Sequence, residues 1–339
     1  IHVAGILGST PAKSRAVAER LGVPRAYDDF ADVLGDPTVT AVHVATPNRL
    51  HFAQAAAALE AGKHVLCEKP LGMTSAETAE LVRLAAASGR AAGVCYNVRF
   101  YPLCLEMAER ARDGSLGAVR HVSGSYLQDW LFHPSDFNWR VSAVEGGELR
   151  AVADIGTHWI DLAQAVTGLE VESVCADLQT VYPERRRPTG GVETFAGKIA
   201  TAAATEPVAV DTEDAGAILL RFRGGAKGVV WVSQVTAGRK NCLRLEVTGA
   251  NESLAWNSEA PETLWIGHRD RPNELLVRDP ALLHATARRH ADYPGGHVEG
   301  YPDTFKQLFR AFYGFIDAGA PTTPPPFPTF ADGHREVLI

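Results

Sequence analysis

The chain has 339 residues, of which 46% are hydrophobic, and its net charge is −7. This length predicts two domains of about 100–200 residues each, the negative charge argues against a nucleic-acid partner, and no apolar run approaches the roughly 18–20 residues of a membrane span. The five cysteines are an odd number and include no Cys-x-x-Cys pair, which argues against a disulfide framework or a structural zinc site and indicates a cytoplasmic protein.

The N-terminal part alternates short apolar runs with amphipathic runs, which predicts βαβ units and a parallel sheet. Thr74 and Glu77 stand in capping-box register before one of the helices. In such sheets ligands bind beyond the carboxyl ends of the strands. Strands are expected at 1–7, 40–45, 64–68 and 91–96, and helices at 11–21, 49–61 and 75–88. The residues that follow the strands, and are therefore candidate site residues, are Gly8, Ser9, Thr10, Thr46, Pro47, Asn48, Glu68, Lys69, Pro70 and Asn97.

After residue 112 the apolar runs alternate and are separated by Gly-rich turn signals, which predicts an antiparallel sheet with one face covered by helices. The tract 321–328 holds five prolines and is predicted to be a surface extension. The basic run 185–187 is predicted to be a solvated loop. Strands are expected at 117–126, 171–178, 215–222, 227–234 and 243–249, and helices at 156–167 and 302–318.

Glu68-Lys69-Pro70 stands at the predicted end of a strand, where a nicotinamide ring would lie in a dinucleotide-binding sheet. A lysine ammonium there stabilises the alkoxide that develops when hydride moves between an alcohol and the nicotinamide. By itself, however, the tripeptide is explained better as an exposed turn. The assignment therefore depends on its place in the chain.

Asp154, His158 and Asp161 share one face if the segment is helical. A carboxylate beside a histidine raises its basicity, which suits His158 as proton acceptor and Asp154 as orienting or hydroxyl-binding group. The same residues also fit a helix cap and a packed histidine. A zinc site is a third interpretation, but the spacing does not require it, and we predict no metal. Its further ligands would be His133, His297 or Glu299.

The segment 8–15 bears on the form of the cofactor. An acidic residue at the end of the second strand of a dinucleotide fold favours NAD, whereas small hydroxyl residues with a nearby cation accommodate the 2′-phosphate of NADP. Ser9 and Thr10 stand here, with Lys13 and Arg15 close by, which favours NADP over NAD. Alternatively, Ser9 or Thr10 only caps the helix that follows.

Taken in order, these segments resemble the Gfo/Idh/MocA family of glucose–fructose oxidoreductases, inositol dehydrogenases and their relatives. Each segment is short, but the order and spacing are specific together. The resemblance is carried by Ala45-Thr46-Pro47-Asn48 with His51, Glu68-Lys69-Pro70, Tyr96-Asn97-Val98-Arg99-Phe100, Gly146-Gly147, the segment 154–161, the segment 296–300 and the segment 330–333.

The resemblance implies a Rossmann domain with a doubly wound parallel sheet at residues 1–98. It implies an α+β domain with a large, mostly antiparallel sheet at residues 99–339, whose C-terminal segment packs back on the first domain. In this family that sheet commonly mediates assembly, so a homodimer or homotetramer is expected.

By the same resemblance, Lys69 matches the catalytic lysine of the family, and Asp154 and His158 match its substrate-binding and proton-transferring pair. Asn48, His51, Glu68 and Asn97 match positions that line the nicotinamide half of the cofactor. The lysine–proline bond is often cis in this fold, which predicts a cis Lys69–Pro70 bond.

One departure concerns the N-terminus. Family members begin with a strand and a Gly-x-Gly-x-x-Gly turn that holds the pyrophosphate at a helix N-terminus. This sequence begins at what resembles the second strand, and residues 335–339 resemble a helix cut short. We therefore expect a natural chain that is longer at both ends.

These features predict an NAD(P)-dependent dehydrogenase or reductase that acts on a CH–OH carbon of a sugar, sugar derivative or cyclitol. Further substrate contacts are expected from Arg99, Trp139, Arg140 and His297, although Trp139 fits a core position equally well. Two alternatives remain: a non-catalytic cofactor-binding sensor or repressor, and a glycosidase that uses a bound nicotinamide for transient oxidation.

Overall fold

The computed structural model describes residues 1–189, 204–319 and 324–339. The chain forms two compact units, each with its own internal packing. The first unit consists of residues 1–95 and 309–338, and the second consists of residues 96–308 with residue 339. Within the described ranges, no helix has the length and apolar character needed to cross a membrane.

The first unit is built from short strands that alternate with helices, as predicted. Thr10 caps the first helix by accepting a hydrogen bond from the backbone N–H of Lys13, and Thr74 and Glu77 form the predicted capping box of the fourth. The elements are α1 (Pro11–Leu21), α2 (Phe30–Gly35), β1 (Ala41–Val44), α3 (His51–Glu60), β2 (His64–Cys67), α4 (Ser75–Ser88) and β3 (Ala92–Val94).

The three strands form a parallel sheet in the order β1-β2-β3, with Ala41 opposite His64 and Val65 opposite Ala92. The interior of β2 is fully buried, which explains its unbroken apolar sequence. The strand predicted at residues 1–7 is wrong. Only Ile6 forms a bridge there, because its single hydrogen-bonding neighbour is the segment around Ala26.

The second unit contains the large sheet together with the helices that cover it. The elements that follow β3 in the chain are α5 (Pro102–Arg112), β4 (His121–Leu127), α6 (Ala143–Gly146), α7 (Thr157–Thr167), β5 (Val171–Gln179), β6 (Glu184–Pro188), β7 (Thr205–Ala209), β8 (Ala215–Phe222), β9 (Lys227–Ser233), β10 (Cys242–Thr248), β11 (Ser253–Asn257), β12 (Thr263–Gly267), β13 (Glu274–Val277), α8 (Ala285–Arg288), α9 (Tyr301–Asp317) and α10 (Phe330–Leu338).

The large sheet has eight strands in the order β13-β12-β11-β10-β4-β9-β8-β5. All neighbours are antiparallel except β4 and β9, which run parallel at its centre. Residues of α5 and α7 join the buried side chains of one face in a single core, and the Trp159 indole donates to the Arg244 carbonyl. The opposite face of the sheet exposes Leu219, Val229 and Trp231. The prediction of a mostly antiparallel sheet covered on one face is confirmed.

The proline-rich tract is only in part the surface extension that its composition predicts, because Pro324 and Pro326 are exposed but the end of the tract is buried. Phe327 and Pro328 are buried in the first unit, and the Pro328 carbonyl accepts a hydrogen bond from the Val94 N–H. The Phe327 ring lies edge-on to Phe312, with ring centroids 5.2 Å apart. A proline lacks an N–H but keeps its carbonyl acceptor, so it can complete a sheet edge. The part of the prediction that falls on residues 321–323 lies outside the described residues.

The basic run is also placed differently from the prediction. Arg185 is fully buried rather than solvated, and its guanidinium donates to the carbonyl oxygens of Leu131, His133 and Asp136. Arg186 and Arg187 are exposed. Strand alternation along β6 turns the first arginine of the run inward, where main-chain carbonyls and a carboxylate compensate its charge.

Candidate functional site

The carboxyl ends of β1 and β2 carry the strand-end residues of the first unit. Thr46, Pro47 and Asn48 follow β1, and Glu68 and Lys69 follow β2. Because the two strands are parallel neighbours, these segments lie at the same edge of the sheet. Lys69 is half-buried, so the exposed turn that the tripeptide alone suggests is not what the structure shows. The predicted cis bond between Lys69 and Pro70 is confirmed.

His51 connects the two strand-end segments. Its Nδ1 lies 2.7 Å from the carbonyl oxygen of Pro70, and its Nε2 lies 2.8 Å from that of Thr46. The side chain is fully buried at the start of α3. Both ring nitrogens therefore contact the main chain, which gives His51 a positioning role; its contact with a cofactor stays a prediction.

Ser9, Thr10 and Lys13 are exposed at the start of α1. Thr10 caps this helix, so that alternative holds for Thr10. Arg15 pairs with Asp28 at 3.1 Å. Because Arg15 is already paired, Lys13 is the better candidate to bind the 2′-phosphate of NADP.

Asn97 begins a short 3₁₀ helix in the second unit and is fully buried. Its Nδ2 donates to Thr304 Oγ1 at 2.7 Å, while its Oδ1 accepts no hydrogen bond from any residue that the structure describes. A buried amide oxygen with a spare acceptor position suits a ligand that carries an N–H group, such as the carboxamide of a nicotinamide. The residues present therefore fit a nicotinamide dinucleotide.

Asp154 lies in a π-helical turn, Val152–Gly156, that runs directly into α7. Such turns widen the helix and occur frequently at functional sites. One oxygen of the carboxylate accepts from Arg140 Nε at 3.2 Å, and the other accepts from Gln234 Nε2 at 2.8 Å. Asp154 is not a helix N-cap, and its carboxylate is held by two donors from different segments.

His158 lies in the first turn of α7 and is almost fully buried. The rings of Tyr96 and Tyr126 meet it edge-on, with centroids 5.7 Å and 6.3 Å away. Burial raises the pKa of the Tyr126 phenol well above its usual range, so the phenol is neutral and donates to Asn241 Oδ1 at 2.7 Å. The imidazole of His158, the predicted proton acceptor, is thus packed against two tyrosine rings.

The other predicted substrate residues fall into separate groups. Arg99 forms a bidentate ion pair with the buried Asp161 on α7. The Arg140 guanidinium lies over the Trp139 ring, 4.3 Å from its centroid, and Trp139 is half-buried. Asp154 and Asp161 therefore accept hydrogen bonds from different arginines.

His297 is exposed on a loop whose base is held by the fully buried Arg278, which donates to the carbonyls of Tyr293 at 2.7 Å and of His297. Glu299 pairs with the same arginine at 3.0 Å. Among the described residues, no group of three or more His, Cys, Asp or Glu side chains could hold a metal ion. The zinc interpretation is not supported.

Sequence reasoning missed several residues around this site. Gln234 ends the predicted fourth strand of the second half and was not singled out, yet it binds Asp154. Asn241 accepts from Tyr126 and, at 2.8 Å, from Gln128. Only the alternation of the strands could have indicated them, because a polar residue on a buried face requires a partner.

Two family models together match most of the chain. Residues 1–96 match the oxidoreductase family with an NAD-binding Rossmann fold, and residues 104–255 match the GFO/IDH/MocA C-terminal domain. The structure has the corresponding architecture, with a parallel sheet first and a large, mostly antiparallel sheet second.

Characterised relatives extend the match over nearly the whole chain. Levoglucosan dehydrogenase of Pseudarthrobacter phenanthrenivorans is 31% identical over 98% of this chain and 84% of the relative. A solved levoglucosan dehydrogenase, in complex with NADH and levoglucosan, has a TM-score of 0.87 at 28% identity, covering 99% of this chain and 86% of that one. An inositol dehydrogenase homologue from Azotobacter vinelandii, complexed with NADH and myo-inositol, has a TM-score of 0.85 at 29% identity, covering 99% and 85%.

Proposed function

The chain belongs to the GFO/IDH/MocA family of oxidoreductases, and on this premise we propose how its residues transfer hydride between a nicotinamide cofactor and a hydroxyl-bearing carbon of a sugar or cyclitol. The observation that carries the proposal is the fixed carboxylate of Asp154, held by Arg140 and Gln234 one turn before the buried His158. A carboxylate held in this way accepts hydrogen bonds from a polyhydroxylated ligand.

When bound, the nicotinamide supplies the hydride acceptor or donor. Lys69 polarises the substrate oxygen, and His158 takes the hydroxyl proton during oxidation or returns it during reduction. Asp154 accepts a hydrogen bond from a neighbouring hydroxyl. Arg99, Trp139, Arg140 and His297 remain the proposed further contacts. The residues that would hold the nicotinamide half are Thr46, Pro47, Asn48, His51, Glu68, Lys69 and Asn97.

The preference for NADP over NAD stays a prediction. No acidic residue occupies positions 8–10, and Lys13 is exposed close to them, which supports a site for the 2′-phosphate with Ser9 and Thr10. Arg15 contributes less than expected because it pairs with Asp28. Since the two solved relatives contain NADH, the rates with the two cofactors need direct comparison, and Lys13→Ala should weaken NADP selectively.

We further propose that the chain assembles as a homodimer or homotetramer through the open face of the large sheet. Leu219, Val229 and Trp231 lie side by side there, each more than 40% exposed. A second copy of the same face would remove these side chains from water. All five cysteines are unpaired, and four are buried, which supports a cytoplasmic location.

The decisive experiment measures the reduction of NAD and NADP in parallel by the full-length protein with levoglucosan, myo-inositol and a panel of other sugars and cyclitols. Lys69→Met should reduce turnover at least about a hundredfold while dinucleotide binding persists, because the lysine stabilises charge only at the reaction centre. Arg83→Met, which also removes an exposed cation in the first unit, on α4, is the matched control.

The outcomes separate the alternatives. Undiminished turnover in Lys69→Met would remove the lysine from the mechanism. Dinucleotide binding without oxidation of any substrate would favour the sensor or repressor, whereas bond cleavage without net accumulation of reduced cofactor would favour the glycosidase.

A further inference from the structure

A buried charge network lies behind Asp154 in the second unit. Asp214 is fully buried between two arginines that are themselves fully buried, Arg150 and Arg185. The second oxygen of Asp214 accepts from the backbone N–H groups of Val181 and Tyr182 at 2.8 and 3.0 Å. Burial acts to raise the pKa of the Asp214 carboxyl, but the charge and hydrogen bond of Arg150, together with the Tyr182 N–H and the charge of Arg185, outweigh it and hold the pKa below its usual range.

Gln234 connects this network to Asp154. Arg150 Nη1 lies 3.4 Å from Gln234 Oε1, and Gln234 Nε2 lies 2.8 Å from Asp154 Oδ2. A guanidinium only donates hydrogen bonds, and a carboxylate only accepts them. The glutamine amide therefore has one possible orientation, with its oxygen toward Arg150 and its NH₂ toward Asp154.

We propose that Gln234 is a positioning residue, which transmits the fixed geometry of the Asp214–Arg150 pair to the carboxylate of Asp154. This inference rests on the proposed function, in which Asp154 binds a substrate hydroxyl. Arg185 ties the same Asp214 to the carbonyls of Leu131 and His133, so one buried carboxylate also holds the loop before Trp139.

A neutral amide is the side chain that this position requires. A glutamate at 234 could still accept from Arg150, but its second oxygen would meet the carboxylate of Asp154 at hydrogen-bond distance. Two carboxylates this close share one proton, so one of them protonates at a raised pH. The charged or titratable groups nearby are Tyr126, Arg140, Arg150, His158, Arg185, Glu213 and Asp214.

Gln234→Glu tests the inference through the pH dependence of activity. With levoglucosan or myo-inositol as substrate, kcat/KM should fall about tenfold to a hundredfold relative to wild type at neutral pH. This deficit, measured against wild type at the same pH, should shrink toward about pH 5, where the carboxylate pair holds its proton. Gln234→Met should give a similar loss without recovery in acid. The dissociation constant of NADH should stay within about twofold of wild type in both variants, because the network contacts the substrate side only.

The matched control is Asn273→Asp, which makes the same amide-to-carboxylate change in the exposed turn between β12 and β13, where the side-chain oxygen still accepts from the His268 N–H. It should leave both kcat/KM and the pH profile unchanged. A wild-type pH profile and kcat/KM in folded Gln234→Glu would overturn the inference. If Gln234→Glu does not fold, an unchanged kcat/KM in Gln234→Met would overturn it instead.

A second readout does not depend on turnover. Carbon-13 NMR of carboxyl-labelled aspartate, with Asp154 assigned by its loss in Asp154→Asn, should show that Asp154 titrates at higher pH in Gln234→Glu than in wild type. If the wild-type protein oxidises no sugar or cyclitol but this shift appears, the proposed function fails and the positioning role stands. If the wild-type protein oxidises a sugar or cyclitol but the titration of Asp154 is unchanged in Gln234→Glu, the positioning role is wrong and the proposed function stands.

Discussion

His51 holds two loops through one buried ring at the edge of the small parallel sheet. Its contacts with the Pro70 and Thr46 carbonyls join the segment that carries Lys69 to the segment that precedes Asn48. Because a carbonyl oxygen only accepts, the ring donates to both at once only when it carries hydrogen on both nitrogens. We therefore expect His51 to fix the main chain next to Lys69.

Replacing His51 with Asn tests this role. Asparagine is too short to reach both carbonyls, so the free energy of unfolding should fall by about 1–3 kcal/mol, and kcat should fall with it since Lys69 loses its support. Chemical denaturation and steady-state kinetics would measure the two effects. His2→Asn, at an exposed position, is the control, and wild-type kinetics in His51→Asn would contradict the positioning role.

Asp36 gives the first unit a pH-dependent element. Hydrogen bonds from Thr38, then from Tyr27, hold the pKa of its carboxyl well below the usual range. A depressed folded-state pKa stabilises the fold above the unfolded value, near about pH 4, and this contribution is lost as the pH falls through the folded value.

Asp36→Asn should therefore lower the melting temperature most at neutral pH, and the gap to wild type should narrow in acid. Melting curves recorded at neutral pH and below about pH 4 would show it. Asp32→Asn, an exposed change in the same segment, should give no such trend. A gap that stays constant with pH would mean that the charge of Asp36 contributes nothing to stability.

At the scale of the elements, the N-terminus of α4 is capped by two residues, Thr74 and Glu77, that the sequence alone identifies. Thr74 accepts from the Glu77 N–H, and the Glu77 carboxylate accepts from the Thr74 N–H, both at 3.2 Å. Thr74→Ala should lower the free energy of unfolding by about 1 kcal/mol, measured by denaturant titration. Thr74→Ser keeps the hydroxyl and should restore most of it, and equal loss in both variants would point to packing of the methyl group instead.

Local signals predicted α1, α4 and α7 well because a cap or a glycine stop acts within a few residues. The π-turn around Asp154 could not be predicted in this way. It is defined by contacts with Arg140 and Gln234, which lie 14 and 80 positions away in the chain. Strands β11 to β13 were not predicted either, since each is only four or five residues long and is stabilised by pairing with its neighbours.

At the scale of the whole molecule, the open face of the large sheet carries the proposed assembly. Trp231→Glu places a charge among Leu219 and Val229, and burying it in an interface would cost several kcal/mol. Light scattering after gel filtration should show a smaller species for this variant. Leu282→Glu replaces an exposed apolar residue outside the sheet and should leave the mass unchanged. An unaltered mass in Trp231→Glu would exclude this face.

The order of domains and the type of each sheet were predictable, because the patterns that indicate them extend over many residues. Strands that alternate with helices indicate the parallel sheet, and apolar residues at every second position indicate the antiparallel sheet. The burial of Arg185 was not predictable, since a run of three arginines normally indicates an exposed segment. Its place depends on the carbonyls of Leu131 and His133, which only the folded chain brings to it. When the groups that compensate a charge are distant in sequence, the residues next to that charge do not indicate that it is buried.

The return of residues 309–338 to the first unit has a consequence for biosynthesis. The bridge between Gly93 and Thr329 and the packing of Gly333 against Leu71 need chain that leaves the ribosome more than 200 residues after β3. The second unit, which is nearly continuous in sequence, can close first. We therefore expect that a nascent chain that stalls before α10 exposes an incompletely folded first unit to chaperones and proteases. The first unit can finish folding only after α10 has been synthesised.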